Sequence, residues 1–114
     1  MSTASPARLE RMPTTHDLGP VTQIPEGGGR MLKAGKRIIA VFRTTDGALF
    51  ASQAECPHRQ GPLANGTIDG TTLTCPIHQW TFDLRTGESQ DGDCGITVYP
   101  IVVDGNGTMV VTMP

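Results

Sequence analysis

The chain has 114 residues, which is enough for one small domain with a modest core but not for a cleft between two domains. Hydrophobic residues make up 37% of the chain and the formal net charge is −2, so the composition excludes both a disordered chain and a strongly charged one. Nucleic acid is excluded as an expected partner, because binding it calls for a basic surface.

The N-terminal residues 1–16 are rich in Ser, Thr, Pro and Ala and have no apolar period, which predicts a flexible tail. This stretch also has no apolar run long enough for a signal peptide or a membrane span. We therefore expect a cytoplasmic protein that has no membrane partner. His16, at the edge of the tail, is interpreted as a surface histidine, and residues 17–114 are predicted to form one domain.

From residue 19 onward, short apolar stretches are separated by Asp-Gly and Asn-Gly dipeptides, which is typical of β-hairpins. The segment "KRIIAVFRT" (36–44) predicts a largely buried strand, and "ALFASQ" (48–53) predicts its partner across the Asp46-Gly47 turn. Near the end of the chain, "TVYPIVV" (97–103) and "TMVVTM" (108–113) predict another hairpin.

No segment predicts a helix, and 14 glycines with nine prolines in so short a chain favour many tight turns. The predicted fold class is therefore all-β, a small antiparallel sandwich or barrel.

Two cysteine loops interrupt this pattern, "CPHRQG" (56–61) and "CPIHQW" (75–80). A hairpin signal around residues 67–73 lies between them. We expect strand ends to present both loops, within about residues 55–80, because a rigid β scaffold commonly carries its site on loops.

The two loops supply Cys56, His58, Cys75 and His78, and these side chains suit a metal. One tetrahedral zinc accepts this mixture of ligands. Paired zinc ligands usually leave about two to four residues between them, however, whereas Cys56 and His58 leave a single residue. The closer spacing favours a centre with two metal atoms, and zinc remains the alternative.

The order Cys56-x-His58, then sixteen residues, then Cys75-x-x-His78, followed by "WTFDLRTGE", resembles the Rieske [2Fe–2S] signature. With "VFRTTDGALFASQAECPH" before it, the chain is similar to Rieske-type ferredoxins of bacterial oxygenase systems over about residues 18–113. The resemblance implies a Rieske-type fold with a two-loop cluster-binding subdomain and one [2Fe–2S] cluster per chain. It further implies that Cys56 and Cys75 bind one iron and that His58 and His78 bind the other.

The resemblance also implies a function, that of a one-electron carrier without an enzymatic reaction of its own. Its expected partners are a flavin-containing, NAD(P)H-dependent ferredoxin reductase and a terminal oxygenase, for example a dioxygenase. Two alternatives stay open at this stage: a small subunit of an NAD(P)H nitrite reductase-like enzyme, and a structural zinc-binding domain. Cys94, which has no histidine near it, is expected to be an inert small side chain.

Overall fold

The computed structural model describes residues 14–56, 62–76, 80–89 and 95–113, and these ranges consist mainly of short β-strands. In chain order the strands are β1 (Thr14–Pro20), β2 (Gly28–Ala34), β3 (Arg37–Arg43), β4 (Leu49–Gln53), β5 (Thr67–Asp69), β6 (Thr72–Thr74), β7 (Thr81–Asp83), β8 (Val98–Tyr99), β9 (Ile101–Val103) and β10 (Thr108–Met113). The helices of these ranges are two single 3₁₀ turns, Val21–Gln23 and Leu63–Asn65. None of the described helices is long and apolar enough to cross a membrane.

The strands form three antiparallel sheets, which confirms the predicted all-β fold class. The outer sheet has the strand order β1-β10-β9, the central sheet β2-β3-β4-β8 and the small sheet β5-β6-β7. Every strand pair in these sheets is antiparallel. The hairpins predicted at β3–β4, β5–β6 and β9–β10 are all present.

The middle of β3, residues 39–42, is buried on both faces of the sheet, and this explains its apolar run. Ile39 and Val41 belong to one core cluster, which also holds residues of the outer sheet such as Met109. Ala40 and Phe42 belong to a second cluster, which holds Cys56, Cys75 and residues of the small sheet. Because successive side chains of a strand point to opposite faces, the central sheet separates the two cores. We call them the outer core and the cysteine core.

The segment "TVYPIVV" forms two strands where one was predicted. Val98 and Tyr99 pair with β4 in the central sheet, whereas residues 101–103 pair with β10 in the outer sheet. Pro100 lies between them and contributes no N–H group, although its carbonyl oxygen accepts the N–H of Thr112 at 2.9 Å. A proline is tolerated where a chain leaves one sheet for another, because no ladder bond is lost there.

The predicted boundary between tail and domain is wrong for residues 14–16. These residues begin β1, and the register pairs Thr14 with Met113 and His16 with Val111. Local composition gave no sign of this, because the backbone of β10, almost 100 residues away, supplies the hydrogen bonds. His16 is half-buried, and its Nε2 lies 3.1 Å from Oγ1 of Thr14. Residues 1–13 lie outside the described ranges, and their flexibility stays a prediction.

Candidate metal centre

Strand β4 leads directly into the first cysteine loop, and the base of that loop is closed by backbone pairing. Glu55 and Pro62 form an isolated antiparallel bridge. The N–H of Leu63 donates to the carbonyl oxygen of Ala54 at 3.0 Å. Cys56, which follows the bridge residue Glu55, is therefore the first residue of the loop, and Pro62 lies beside the end of β4 where the loop ends.

The second cysteine loop connects β6 to β7 in the same way. Its first residue, Cys75, follows the last residue of β6, and its N–H donates to the carbonyl oxygen of Trp80 at 2.7 Å. Only residues 76–79 lie between these two positions. Both loops are thus closed at the base, and each begins with a cysteine that follows the end of a strand.

Both cysteine side chains are completely buried, at 0% exposure, and they share the cysteine core. Neither belongs to a disulfide. Two thiols held in one apolar core, one from each loop, suit a soft metal centre, because thiolates are the preferred ligands of iron–sulfur clusters. This part of the site fits a [2Fe–2S] group.

The other predicted ligands, His58 and His78, lie outside the described residues, and so does Cys94. Within the four described ranges there is no group of three or more His, Cys, Asp or Glu side chains that could hold a metal ion. The structure thus places two of the four predicted ligands.

Large apolar side chains surround the cysteines. Phe42, Leu63, Leu73 and Phe82 are each 0% exposed, and Trp80 packs against them while remaining half-buried. An apolar shell limits the access of water and lowers the local dielectric constant, both of which tune the reduction potential of a cluster. Trp80 and Phe82 follow the second cysteine loop closely in the sequence, whereas nothing in the local sequence links Phe42 of β3 to this shell.

Next to this core, Asp83 at the end of β7 forms an ion pair with Arg85. Arg85 donates to the carboxylate of Asp83 from Nε at 3.1 Å and from Nη2 at 3.0 Å. The side-chain hydrogen bond from Arg85 is the main cause that lowers the pKa of Asp83, and the same contact raises the pKa of Arg85. The pair therefore adds no net charge beside the cysteine core.

Beyond β7, the chain is held by a second set of backbone contacts. The N–H of Gly87 donates to the carbonyl oxygen of Asp83 at 2.6 Å, and the carbonyl oxygen of Gly87 accepts the N–H of Ile96 at 2.7 Å. Gly87 has a φ of +85°, which a residue with a side chain rarely adopts. In the sequence, the one signal of this glycine is its place in the Thr86-Gly87 dipeptide after β7.

Comparison with known proteins identifies the type of site. Residues 14–100 match the model of the Rieske [2Fe–2S] domain. The chain is 37% identical to the anthranilate 1,2-dioxygenase ferredoxin subunit of Burkholderia cepacia over 93 residues, which are 79% of this chain and 85% of that subunit.

Three solved structures have the same fold. The ferredoxin of Sphingomonas yanoikuyae B1 is 27% identical with a TM-score of 0.77, and the match covers 89% of this chain and all of that one. The ferredoxin and oxygenase complex of carbazole 1,9a-dioxygenase contains a chain with 25% identity and a TM-score of 0.73, covering 85% of this chain and 91% of that one.

A proposed NADH-dependent nitrite reductase small subunit from Mycobacterium tuberculosis has a TM-score of 0.83 over 90% of this chain and 97% of that one, and at 20% identity it shares the fold alone. The family match decides between the two cofactors that the sequence left open. This chain belongs to the Rieske [2Fe–2S] domain family, and its cofactor is a [2Fe–2S] cluster.

Proposed function

We propose that this protein is a one-electron carrier that accepts an electron from an NAD(P)H-dependent, flavin-containing reductase and donates it to a terminal oxygenase. One observation carries the proposal: the match to a dioxygenase ferredoxin subunit covers 85% of that subunit, so the Rieske domain makes up most of the relative as well. The two proteins thus share the domain that holds the cluster, and this similarity supports the role of an electron carrier.

We assign the ligands of the cluster to Cys56, Cys75, His58 and His78. The two cysteines are supported by their burial in one core and by their places at the start of two closed loops. The histidines are supported by their spacing in the same loops. When bound, a cluster with this mixed set of ligands supplies one-electron redox chemistry at a higher potential than a cluster with four cysteines.

The chain contributes to electron transfer mainly by holding its two loops in place. The bridge between Glu55 and Pro62 closes the base of the first loop, and the hydrogen bond from Cys75 to Trp80 closes the base of the second. Because the buried apolar side chains keep water from the sulfur atoms, little solvent has to reorganise when the charge changes.

The proposed partners are a terminal oxygenase and a flavin-containing reductase. The terminal oxygenase is supported by the complex of oxygenase and ferredoxin in carbazole 1,9a-dioxygenase. The flavin-containing reductase is the expected source of electrons in a system of this kind. We infer that the protein transforms no substrate itself, and the cytoplasm remains its predicted location.

The second candidate function is that of a small subunit of a nitrite reductase. Its support is the similar fold of the Mycobacterium tuberculosis protein. The two functions differ in how firmly the chain binds its partner. A carrier forms a weak, transient contact and elutes alone from a sizing column, whereas an obligate subunit elutes with its large partner.

The test of the carrier function starts with anaerobically purified protein. We expect about two irons and two acid-labile sulfides per chain, as a [2Fe–2S] cluster requires. The oxidised protein is then mixed with NADH and a flavin-containing ferredoxin reductase, and the visible spectrum is followed until one electron per chain has been taken up. Addition of the terminal oxygenase should restore the oxidised spectrum. A cluster that the oxygenase leaves reduced contradicts the proposal.

A further inference from the structure

The hairpin of β2 and β3 carries an exposed apolar patch on the side of the cysteine core. Ala40 and Phe42 point into that core, so the alternation of β3 places Ile38 on the same face. The register sets Met31 beside Ala40 and Lys33 beside Ile38. Met31 is 47% exposed and Ile38 is 58% exposed. We call Met31, Lys33 and Ile38 the hairpin patch.

The hairpin patch borders the first cysteine loop. Ile39 pairs with Gln53, the last residue of β4, so Ile38 and Ala54 lie just beyond the last pair at this end of the register. Ala54 is the residue whose carbonyl oxygen closes the base of the loop, and Cys56 follows two residues later. The other end of this face is covered, since Ala64 of the second 3₁₀ turn packs against Phe42 in the cysteine core.

The charged residues of the β2–β3 hairpin are all basic, and the nearest acid in the first cysteine loop's base is the exposed Glu55. Residues 30–37 contain Arg30, Lys33, Lys36 and Arg37, four of the nine Lys and Arg residues of the chain, and no acid. The two ion pairs found in the described ranges are Arg43 with Glu26 and Arg85 with Asp83, so none of these four cations forms one there. A chain with a net charge of −2 thus has a basic hairpin beside its cysteine loop.

We propose that the hairpin patch is the surface on which the terminal oxygenase docks, an inference that rests on the proposed function. Acidic side chains of the oxygenase face Lys33 and Lys36, and an apolar area faces Met31 and Ile38. A basic edge around a small apolar centre is suited to a transient contact, because the charges speed association while the small area keeps dissociation fast. A partner seated there also covers the base of the first cysteine loop.

The apolar part of the proposal is tested with Ile38→Ser and a matched control, Val102→Ser. Val102 is similarly exposed, at 64%, but belongs to the outer sheet. In the assay, the reduced ferredoxin passes one electron per chain to a terminal oxygenase of the source organism. The oxygenase used is the one that reoxidises the reduced, unsubstituted protein, which we call the parent. We expect Ile38→Ser to raise the half-saturating oxygenase concentration about fivefold and Val102→Ser to leave it unchanged. Equal behaviour of the two variants overturns the proposal.

The charge part is tested with Lys33→Glu against Arg37→Glu. Both variants reverse one exposed cation of the same hairpin, but Arg37 lies opposite Ala34, on the face of the outer core. At low salt we expect Lys33→Glu to slow association with the oxygenase about tenfold and to flatten its dependence on salt, with a clearly smaller effect of Arg37→Glu. Equal losses in the two variants, or no loss in either, overturn the proposal.

Two further measurements distinguish a loss of docking from a damaged cluster and from a failure of the proposed function. Reoxidation of each reduced variant by hexacyanoferrate(III), which takes up one electron and becomes hexacyanoferrate(II), shows whether the variant still carries a working cluster. Ile38→Ser should react with it at the parent rate, and a slowed reaction overturns docking as the cause of its defect. A parent chain that no oxygenase reoxidises overturns the proposed function itself. A parent that is reoxidised normally, with Ile38→Ser unaffected, overturns the docking surface alone.

Discussion

Gly66 lies so close to Thr74 that a β-carbon on Gly66 would be 2.3 Å from the carbonyl oxygen of Thr74. Gly66 directly follows the second 3₁₀ turn, and Thr74 is the last residue of β6 before Cys75. A side chain at position 66 would have to displace the backbone that presents one of the two buried thiols.

Gly66→Ala should therefore destabilise the fold and weaken retention of the cluster. The φ of Gly66 is −73°, which alanine adopts freely, so the effect comes from the steric clash alone. We expect a loss of about 1–3 kcal/mol in the free energy of unfolding and a lower iron content per chain. Gly105→Ala is the matched control, since nothing lies within 4 Å of a β-carbon there. Thermal unfolding and an iron assay measure both variants, and equal results contradict the prediction.

Cys75→Ser should abolish the cluster, whereas Cys94→Ser should leave it intact. Serine is close in size to cysteine but lacks the soft thiolate that iron–sulfur clusters require. The check is the visible spectrum, together with iron and labile sulfide per chain. Loss of the cluster in Cys94→Ser would show that the ligand assignment is incomplete, and full retention in Cys75→Ser would show that it is wrong.

Replacing a large side chain of β3 by alanine should affect the lifetime of the cluster on one face of the strand but not on the other. Ile39→Ala opens a cavity in the outer core and Phe42→Ala opens one in the cysteine core. Each should reduce the free energy of unfolding by about 2–5 kcal/mol, because both side chains are completely buried. Only Phe42→Ala should also shorten the lifetime of the cluster in air, which is followed by the loss of visible absorbance. A similar lifetime in the two variants would contradict the separation of the cores.

The turn between β3 and β4 contains a carboxylate, that of Asp46, whose contribution to the stability of the fold should depend on pH. The hydroxyl of Thr44 donates to the carboxylate of Asp46, and this hydrogen bond is the main cause that lowers the pKa of Asp46 from its ordinary value of 3.8. A lowered pKa in the folded state means that the carboxylate stabilises the fold above the unfolded value and loses this effect as the pH falls through the folded value.

Asp46→Asn should thus be less stable than the parent by an amount that stays constant between about pH 7 and pH 5. The difference should shrink only below the ordinary pKa of 3.8, as the parent carboxylate becomes protonated. Urea unfolding of both proteins across this range checks the prediction. A difference that already shrinks near neutral pH would assign the effect to another group.

The sequence alone predicted the features that depend on neighbouring residues. Asp46-Gly47, Asp69-Gly70 and Asn106-Gly107 all mark turns, and their glycines have positive φ values of 93°, 61° and 79°. The places of Cys56 and Cys75 in two loops could also be read from spacing. Turn chemistry and ligand spacing act over a few residues, so one stretch of sequence contains the whole signal.

Tertiary structure alone decided the features that depend on distant strands. Asn65-Gly66 resembled a hairpin turn, but it ends a 3₁₀ turn, because Gly66 must pass close to the backbone of Thr74. Pro100 sends β8 and β9 into different sheets. Residues 14–16 became a strand because β10 offered a free edge, and the basic hairpin came to lie beside the cysteine loop through the pairing of β3 with β4. These outcomes depend on contacts between segments far apart in the chain, where local preferences carry no information about the partner.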